Sequence, residues 1–366
     1  MQTNISPINT GAAGDSTHIA IQAFSESELL TACKNGSGIL ELIGWLGKQG
    51  DKKLTRAGDS TKDKVGEVDE VTLALMGRVA VTAVKDGSGN LFLITWSAPP
   101  LLGSIGRLHD SSTAQPHPGK ASLIAITPVT QSMLVTACAA GNGDLLLIPW
   151  NIGTDGAITR LPGTARAGTV SAVSITALGN SSRTVLTAVK NGSGNLECIA
   201  WDVAADGSSI VRRGQPGQAG SISEVAIVRA RNDSEGPGGS SFITAVVNGS
   251  GNLEVIAWNY QENPPAISRR GHADAGTASN ISISGAGPSS IYIASMRRGS
   301  GDKELIAYNI PGNGSVTRTG DFGDNQGGSE NITETKIVSF GRAITAMRSR
   351  DILVVNTWDV VNQPES

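Results

Sequence analysis

The sequence predicts an all-β fold, and three observations carry that prediction. A segment of the form LTAVKNGSGNLECIAW, residues 186–201, recurs seven times. Its Thr, or the equivalent, stands at Thr31, Thr82, Thr136, Thr187, Thr244, Ala294 and Thr345, so successive copies begin 51, 54, 51, 57, 50 and 51 residues apart. An aromatic closes each copy at Trp45, Trp96, Trp150, Trp201, Trp258, Tyr308 and Trp358, 14 residues on in six copies and 13 in the last. A period near fifty sustained along the chain marks a repeat architecture. Forty-six glycines and few aromatics fit many short strands joined by tight turns.

The fourth copy displays the unit. Residues 170–177, VSAVSITA, alternate apolar and small polar side chains, the period of a strand. Residues 185–190 make a second strand and 196–201 a third, joined by Asn191-Gly192-Ser193-Gly194, which tolerates the positive φ of a hairpin. After Asp206-Gly207, residues 209–213 supply a fourth. Such an antiparallel meander cannot bury both faces alone. Seven stacked radially can, which is the seven-bladed β-propeller of four-stranded blades. The closing aromatics are expected to pack between neighbouring blades.

The chain ends extend this reading. Eight residues follow Trp358, too few for a turn and a strand, whereas Asn4-Ile5-Ser6-Pro7-Ile8-Asn9 matches the fourth-strand pattern of residues 158–161 and 316–320. Residues 4–9 are therefore expected to complete the blade that carries Trp358, closing the ring within one domain spanning 1–366. In period the chain resembles kelch and WD-type repeats. It lacks the kelch glycine doublet, and Trp-Asp occurs only at Trp201-Asp202 and Trp358-Asp359. The resemblance is to seven-bladed propellers generally, and it implies a fold and not an activity.

Composition narrows the chemistry. A net charge of −3 leaves no basic footprint for nucleic acid. No apolar run is long enough to span a bilayer. The N-terminus lacks a basic region followed by an apolar stretch, so no secretory signal is read and a cytoplasmic location is the default. Cys33, Cys138 and Cys198 are an odd set, two of them at one repeat position, and are expected as buried, reduced thiols. Nine N-x-S/T sequons occur, but those at Asn35, Asn191 and Asn248 fall in the repeat's own turn, where Asn-Gly serves the backbone; Asn331 lies outside it. No phosphate loop, zinc pair or nucleophile elbow is present, so no cofactor and no metal are expected.

Function is sought where the copies disagree. The hairpins are nearly uniform, but the links from each fourth strand to the next first strand differ: residues 9–18, 57–70, 108–122, 161–172, 213–224, 270–280 and 319–334. Read as loops around the channel mouth, they hold His18, His109, His117 and His272. Aligned in register, the first strands place His18, Glu70, Leu123, Ala172, Glu224, Asn280 and Glu334 in one ring. Two residues on come Ala20, Thr72, Ala125, Ser174, Ala226, Ser282 and Lys336, while the alternate parity is apolar. The polar parity is expected to face the channel. Neighbouring carboxylates there would raise one another's pKa and supply protons, or the lining would merely keep the channel wet. A cation at Glu70, Glu224 and Glu334 lacks the oxygen count a hard ion needs.

Two further features stand out. Arg56, Arg107, Arg160, Arg212, Arg269 and Arg318 recur in the fourth strand, which suggests a structural tie between blades. The last copy replaces the glycine-rich hairpin with Arg348-Ser349-Arg350-Asp351, a candidate anion site or a variant turn.

The reading that follows is one asymmetric pocket for a small organic molecule, with neither nucleic acid nor membrane as partner. His18, Glu70, Glu224 and Glu334 are the candidate catalytic groups. His109, His117, His272, Asn280, Lys336, Arg348 and Arg350 are the candidate binding groups. Positioning and proton transfer without a cofactor suit a cyclase, isomerase or lyase, by analogy with cofactor-free cyclases of natural-product pathways. The alternatives are a multivalent sugar-binding lectin and a protein-docking scaffold.

Overall fold

The computed structural model describes residues 2–47, 53–60, 65–113, 118–179, 182–230, 240–286, 290–323, 332–340 and 342–363. Pairing among them divides into seven antiparallel four-stranded units. In the fourth, Ala165–Gly179, Ser182–Asn191, Asn195–Val203 and Ile210–Arg229 lie side by side.

The strands are longer than the alternation pattern marks, and the four links described throughout, residues 9–18, 161–172, 213–224 and 270–280, run mostly as strand. Ile210–Arg229 first pairs with the outer half of the third strand, Ala200 opposite Arg213. After a bulge it pairs with the rest, Cys198 opposite Gly217. It then crosses to the next blade, where Ile222 faces Asn248. Gln2–Ala23, Ala165–Gly179 and Pro265–Gly285 also run from outermost to innermost strand without a break. Small residues permit the crossing. A Cβ on Gly217 would stand 2.4 Å from Ile267 and 2.9 Å from Trp258 of the next blade, and one on Gly11 2.8 Å from Trp45.

Ring closure uses the same device. Gln2–Ala23 pairs along Ile352–Gln363 from Gln2 to Asp15, a longer stretch than residues 4–9, and then forms the innermost strand of the first blade.

The repeated Thr and Trp form one buried hydrogen bond per blade. The indole Nε1 donates to the Thr Oγ1 at 2.9–3.0 Å in Trp45–Thr31, Trp96–Thr82, Trp150–Thr136, Trp201–Thr187, Trp258–Thr244 and Trp358–Thr345. Where Tyr308 replaces Trp, Ala294 replaces Thr, because no indole N–H needs an acceptor. The aromatics are at most 2% exposed. Each joins one of seven apolar clusters that span adjacent blades, as with Trp258 against Leu196, Cys198 and Ala200.

The hairpins take positive φ only at their last glycine, +81° at Gly38 and Gly194. Asn35 Oδ1 accepts the amides of Ser37 and Ile39, and Asn191 Oδ1 those of Ser193 and Asn195, so the turn consumes these side chains. In the last blade Arg350 and Asp351 are both left-handed, at +48° and +71°, a two-residue turn that removes one residue.

The recurrent arginines tie strands within a blade, not between blades. Each sits across from the blade aromatic, as Arg212 does from Trp201. From there four of the six reach a third-strand carboxylate, Arg56–Glu41 at 2.6 Å, Arg212–Glu197 at 3.0 Å, Arg269–Glu254 at 2.5 Å and Arg318–Glu304 at 3.3 Å, while Arg107 pairs with Asp110 of its own strand. The three cysteines are free and buried, and burial pushes the Cys33 and Cys138 thiols up to about 12.

Thr187→Val keeps the shape of the site but strands the Trp201 N–H. It should lower unfolding stability in urea by about 1–3 kcal/mol. Deleting residues 2–12 should lower and broaden the calorimetric melting transition, and an unchanged midpoint would refute their role in closure.

Candidate functional site

The innermost strand of each blade is a sheet edge. One side pairs with the second strand, and the other side presents backbone amides toward the channel. Each such strand carries a bulge near its start, at residues 17–20, 68–70, 122–125, 170–172, 222–224, 279–282 and 332–334. The ring aligned from sequence falls at these bulges.

Three of its members are glutamates, and each reaches across to the following blade. Glu70 Oε2 accepts the Ile124 amide at 3.1 Å, Glu224 Oε2 the Ile281 amide at 3.1 Å, and Glu334 Oε1 the Ile19 amide at 2.8 Å. The amide in every case follows a left-handed residue: Leu123 at +56°, Asn280 at +51° and His18 at +51°. That backbone turn aims the amide at the carboxylate. The left-handed conformation costs about 1–2 kcal/mol for an L-residue. A hydrogen bond to a charged acceptor contributes about 1.5–3 kcal/mol, enough to offset it. His and Asn visit this region more readily than most side chains, which gives His18 and Asn280 a backbone reason to be there. Leu123 has none of its own.

Deeper in the channel the same contact recurs with hydroxyls. Ser174 Oγ accepts the Ile227 amide at 3.2 Å and Ser282 Oγ the Ile337 amide at 3.1 Å. Gln22 Nε2 donates to the Leu73 carbonyl at 3.1 Å. Six of the seven blade boundaries thus carry a clasp among the described residues. The boundary between the third and fourth blades, beside Leu123 and Ala172, shows none.

A cavity of about 600 Å³ opens at this ring, and all seven innermost strands line it. His18, Glu70, Glu224, Asn280, Glu334, Lys336 and Arg348 all face it, together with Leu123 and Ala172. It is asymmetric. Blades five, six, seven, one and two contribute Glu224, Asn280, Glu334, His18 and Glu70, whereas blades three and four contribute Leu123 and Ala172. The clasp uses one oxygen of each glutamate. The other oxygen, the Asn280 amide and the Lys336 ammonium have no hydrogen-bond or ion-pair partner among the described residues. His18 Nδ1 lies 3.3 Å from Thr17 Oγ1. Arg348 is held by Asp351, while its Nε is buried without a partner.

The structure does not bring the remaining candidates here. His109 and His272 lie in outermost strands, His109 in Gly106–Asp110 and His272 opposite Ile256, because these parts of the links pair with the third strand of their blades. Arg350 is exposed at the tip of the final turn, away from the cavity lining. His117 lies outside the described residues, as does Asn331. Sequence reasoning passed over Thr17, Ser171, Ser223 and Thr335, which also line the cavity. Their signal was the small polar side chain beside the ring position. A second cavity of about 770 Å³, lined by Met76, Arg78, Val79, Leu108 and Asp155, has its charges engaged: Arg78 with Glu28, and Asp155 with the Ala157 amide.

The described residues hold no group of three or more metal-ligating side chains, and no helix is long and apolar enough to cross a membrane. No protein-family model matches the chain, and no curated protein matches it in sequence. Solved structures do superimpose. The Pseudomonas aeruginosa periplasmic gluconolactonase PpgL is 10% identical with a TM-score of 0.59, covering 83% of this chain and 85% of that one. U3-55K is 14% identical at 0.57, covering 96% and 98%. Saccharomyces cerevisiae Sqt1 is 15% identical at 0.52, covering 95% and 84%. The chain is a β-propeller. At these identities the likeness shows the fold alone.

Glu334→Ala removes the acceptor for the Ile19 amide at the closing boundary and should cost about 1.5–3 kcal/mol in unfolding experiments. Glu334→Gln keeps a carbonyl oxygen there and should stay within about 1 kcal/mol of the parent. An unchanged stability in Glu334→Ala would mean that the clasp contributes nothing.

Proposed function

We propose that the protein binds one small organic molecule at the channel mouth and acts on it without a cofactor. The observation that carries this reading is the convergence of seven innermost strands on one cavity whose ring members differ around the circle. A single asymmetric site can orient one molecule in one way, and orientation is itself a large part of catalysis. The rim glutamates are held by backbone amides, so their second oxygens are presented at fixed positions. With His18 between Glu334 and Glu70 around the ring, they are placed to move protons on a bound ligand. Cyclisation, isomerisation or elimination fits this equipment. Gluconolactonases are found among propellers of similar fold, which is consistent with an enzyme at such a mouth.

The lectin alternative needs an equivalent aromatic and polar site in every blade. The repeating aromatics here are buried, and the repeating arginines and turn asparagines are engaged within their blades. Among the described residues no repeated aromatic is left exposed for a sugar.

Calorimetric titration with a ligand found by thermal-shift screening should give one site per chain. Five to seven equivalent sites would overturn the reading. Glu224→Gln and His18→Ala should each lower turnover about 100-fold or more while the melting temperature stays near that of the parent.

A further inference from the structure

The cavity has a vertical charge order as well as a lateral one. Its rim carries the three glutamates, each with one oxygen committed to a neighbouring blade and one without a partner among the described residues. An ionised carboxylate only accepts hydrogen bonds, so the rim calls for donors. Two residues further along the strands the second ring is small and neutral at Ala20, Thr72, Ala125, Ser174, Ala226 and Ser282. Lys336 is its one charged member, and the one member of that ring that lines the cavity. Its ammonium is solvent-exposed and lies beyond ion-pair reach of any described carboxylate, Glu334 on the same strand included. Of the two cations that line the cavity, Arg348 is held by Asp351 and Lys336 is left to a ligand, which with three rim anions sets a polarity that the ligand must match.

Charge balance selects among ligands. The lining holds Glu70, Glu224 and Glu334 against Lys336 and Arg348, and Arg348 is already paired with Asp351. A simple carboxylate would meet Lys336 but add an anion beneath the glutamates. A simple amine would satisfy the rim and leave Lys336 facing another cation. A zwitterion adds no net charge and meets both layers, its ammonium offering three donors to the rim oxygens. The unclasped boundary at Leu123 and Ala172 offers an apolar wall for its side chain. About 600 Å³ accommodates a molecule larger than a single amino acid.

We propose that the channel mouth recognises a zwitterionic amino compound of amino-acid or short-peptide type. Its ammonium lies on an unclaimed oxygen of a rim glutamate, and its carboxylate on Lys336. This rests on the reading of the mouth as the binding site, and it names the class of ligand.

Three probes of one shape separate the charges: glycyl-leucine, N-acetyl-glycyl-leucine, which lacks the ammonium, and glycyl-leucine amide, which lacks the carboxylate. Each is titrated calorimetrically into the full chain at low salt, alongside sorbitol and putrescine. The expected result is one glycyl-leucine per chain, with affinity at least about tenfold lower for both blocked forms. In Lys336→Met the preference for the free acid over the amide should vanish, and in Glu224→Gln the preference for the free amine should shrink, with both variants melting as the parent does. Blocked forms that bind as tightly as the parent peptide overturn the proposal. Sorbitol or putrescine binding in place of glycyl-leucine, and competing at the mouth, overturns the zwitterion while leaving the site. Failure of all five probes to bind removes support from both.

Discussion

Seven sheet edges face one another across the channel, and their backbone amides must be satisfied. That constraint organises the interior. An edge strand buried against neighbours cannot leave its N–H groups empty without a penalty comparable to a lost hydrogen bond. The protein meets the demand with acceptors from the adjacent blade, carboxylates at the rim and serine hydroxyls one ring deeper, while Gln22 donates to a backbone carbonyl, that of Leu73. The bulges and the left-handed residues at His18, Leu123 and Asn280 follow from it, since they turn the amide toward its acceptor.

Around this inner ring, each blade is unified by a buried indole N–H on a threonine hydroxyl, and each boundary by an apolar cluster containing that aromatic. The pairing of Tyr308 with Ala294 shows the logic by exception. There the indole N–H and the threonine hydroxyl are absent together, the Tyr308 hydroxyl is buried without a partner among the described residues, and the aromatic still packs. The outer arginine–glutamate pairs are half exposed and belong to single blades, so they reinforce the sheets and leave the ring's cohesion to the clasps and the cores.

The rim glutamates therefore serve two ends. One oxygen joins blades and the other is presented to the cavity. A carboxylate with a structural hydrogen bond is held at a set position, which is what a binding or proton-transferring group requires. The structural role of Glu70, Glu224 and Glu334 and the chemical role proposed for them fall on the same side chains, and only substitutions that keep the carbonyl while removing the charge tell them apart.

Much of this was legible in the residues themselves. The period of about fifty, the Thr-to-aromatic spacing and the strand-like Asn4-Ile5 segment defined the blades and the closure, because hydrogen-bonded pairing and burial impose a local pattern on the sequence. Register along the first strands likewise placed His18, Glu70, Asn280 and Glu334 in one ring, because alternation in a strand is a covalent fact. Tertiary structure decided the rest. The histidines at His109 and His272 looked like mouth loops but lie in paired outer strands, since whether a glycine-rich link loops or pairs depends on the neighbouring sheet. The arginines' partners, the left-handed turn at Leu123 and the solitary reach of Lys336 into the cavity depend on contacts between residues far apart in the chain, which local pattern does not encode.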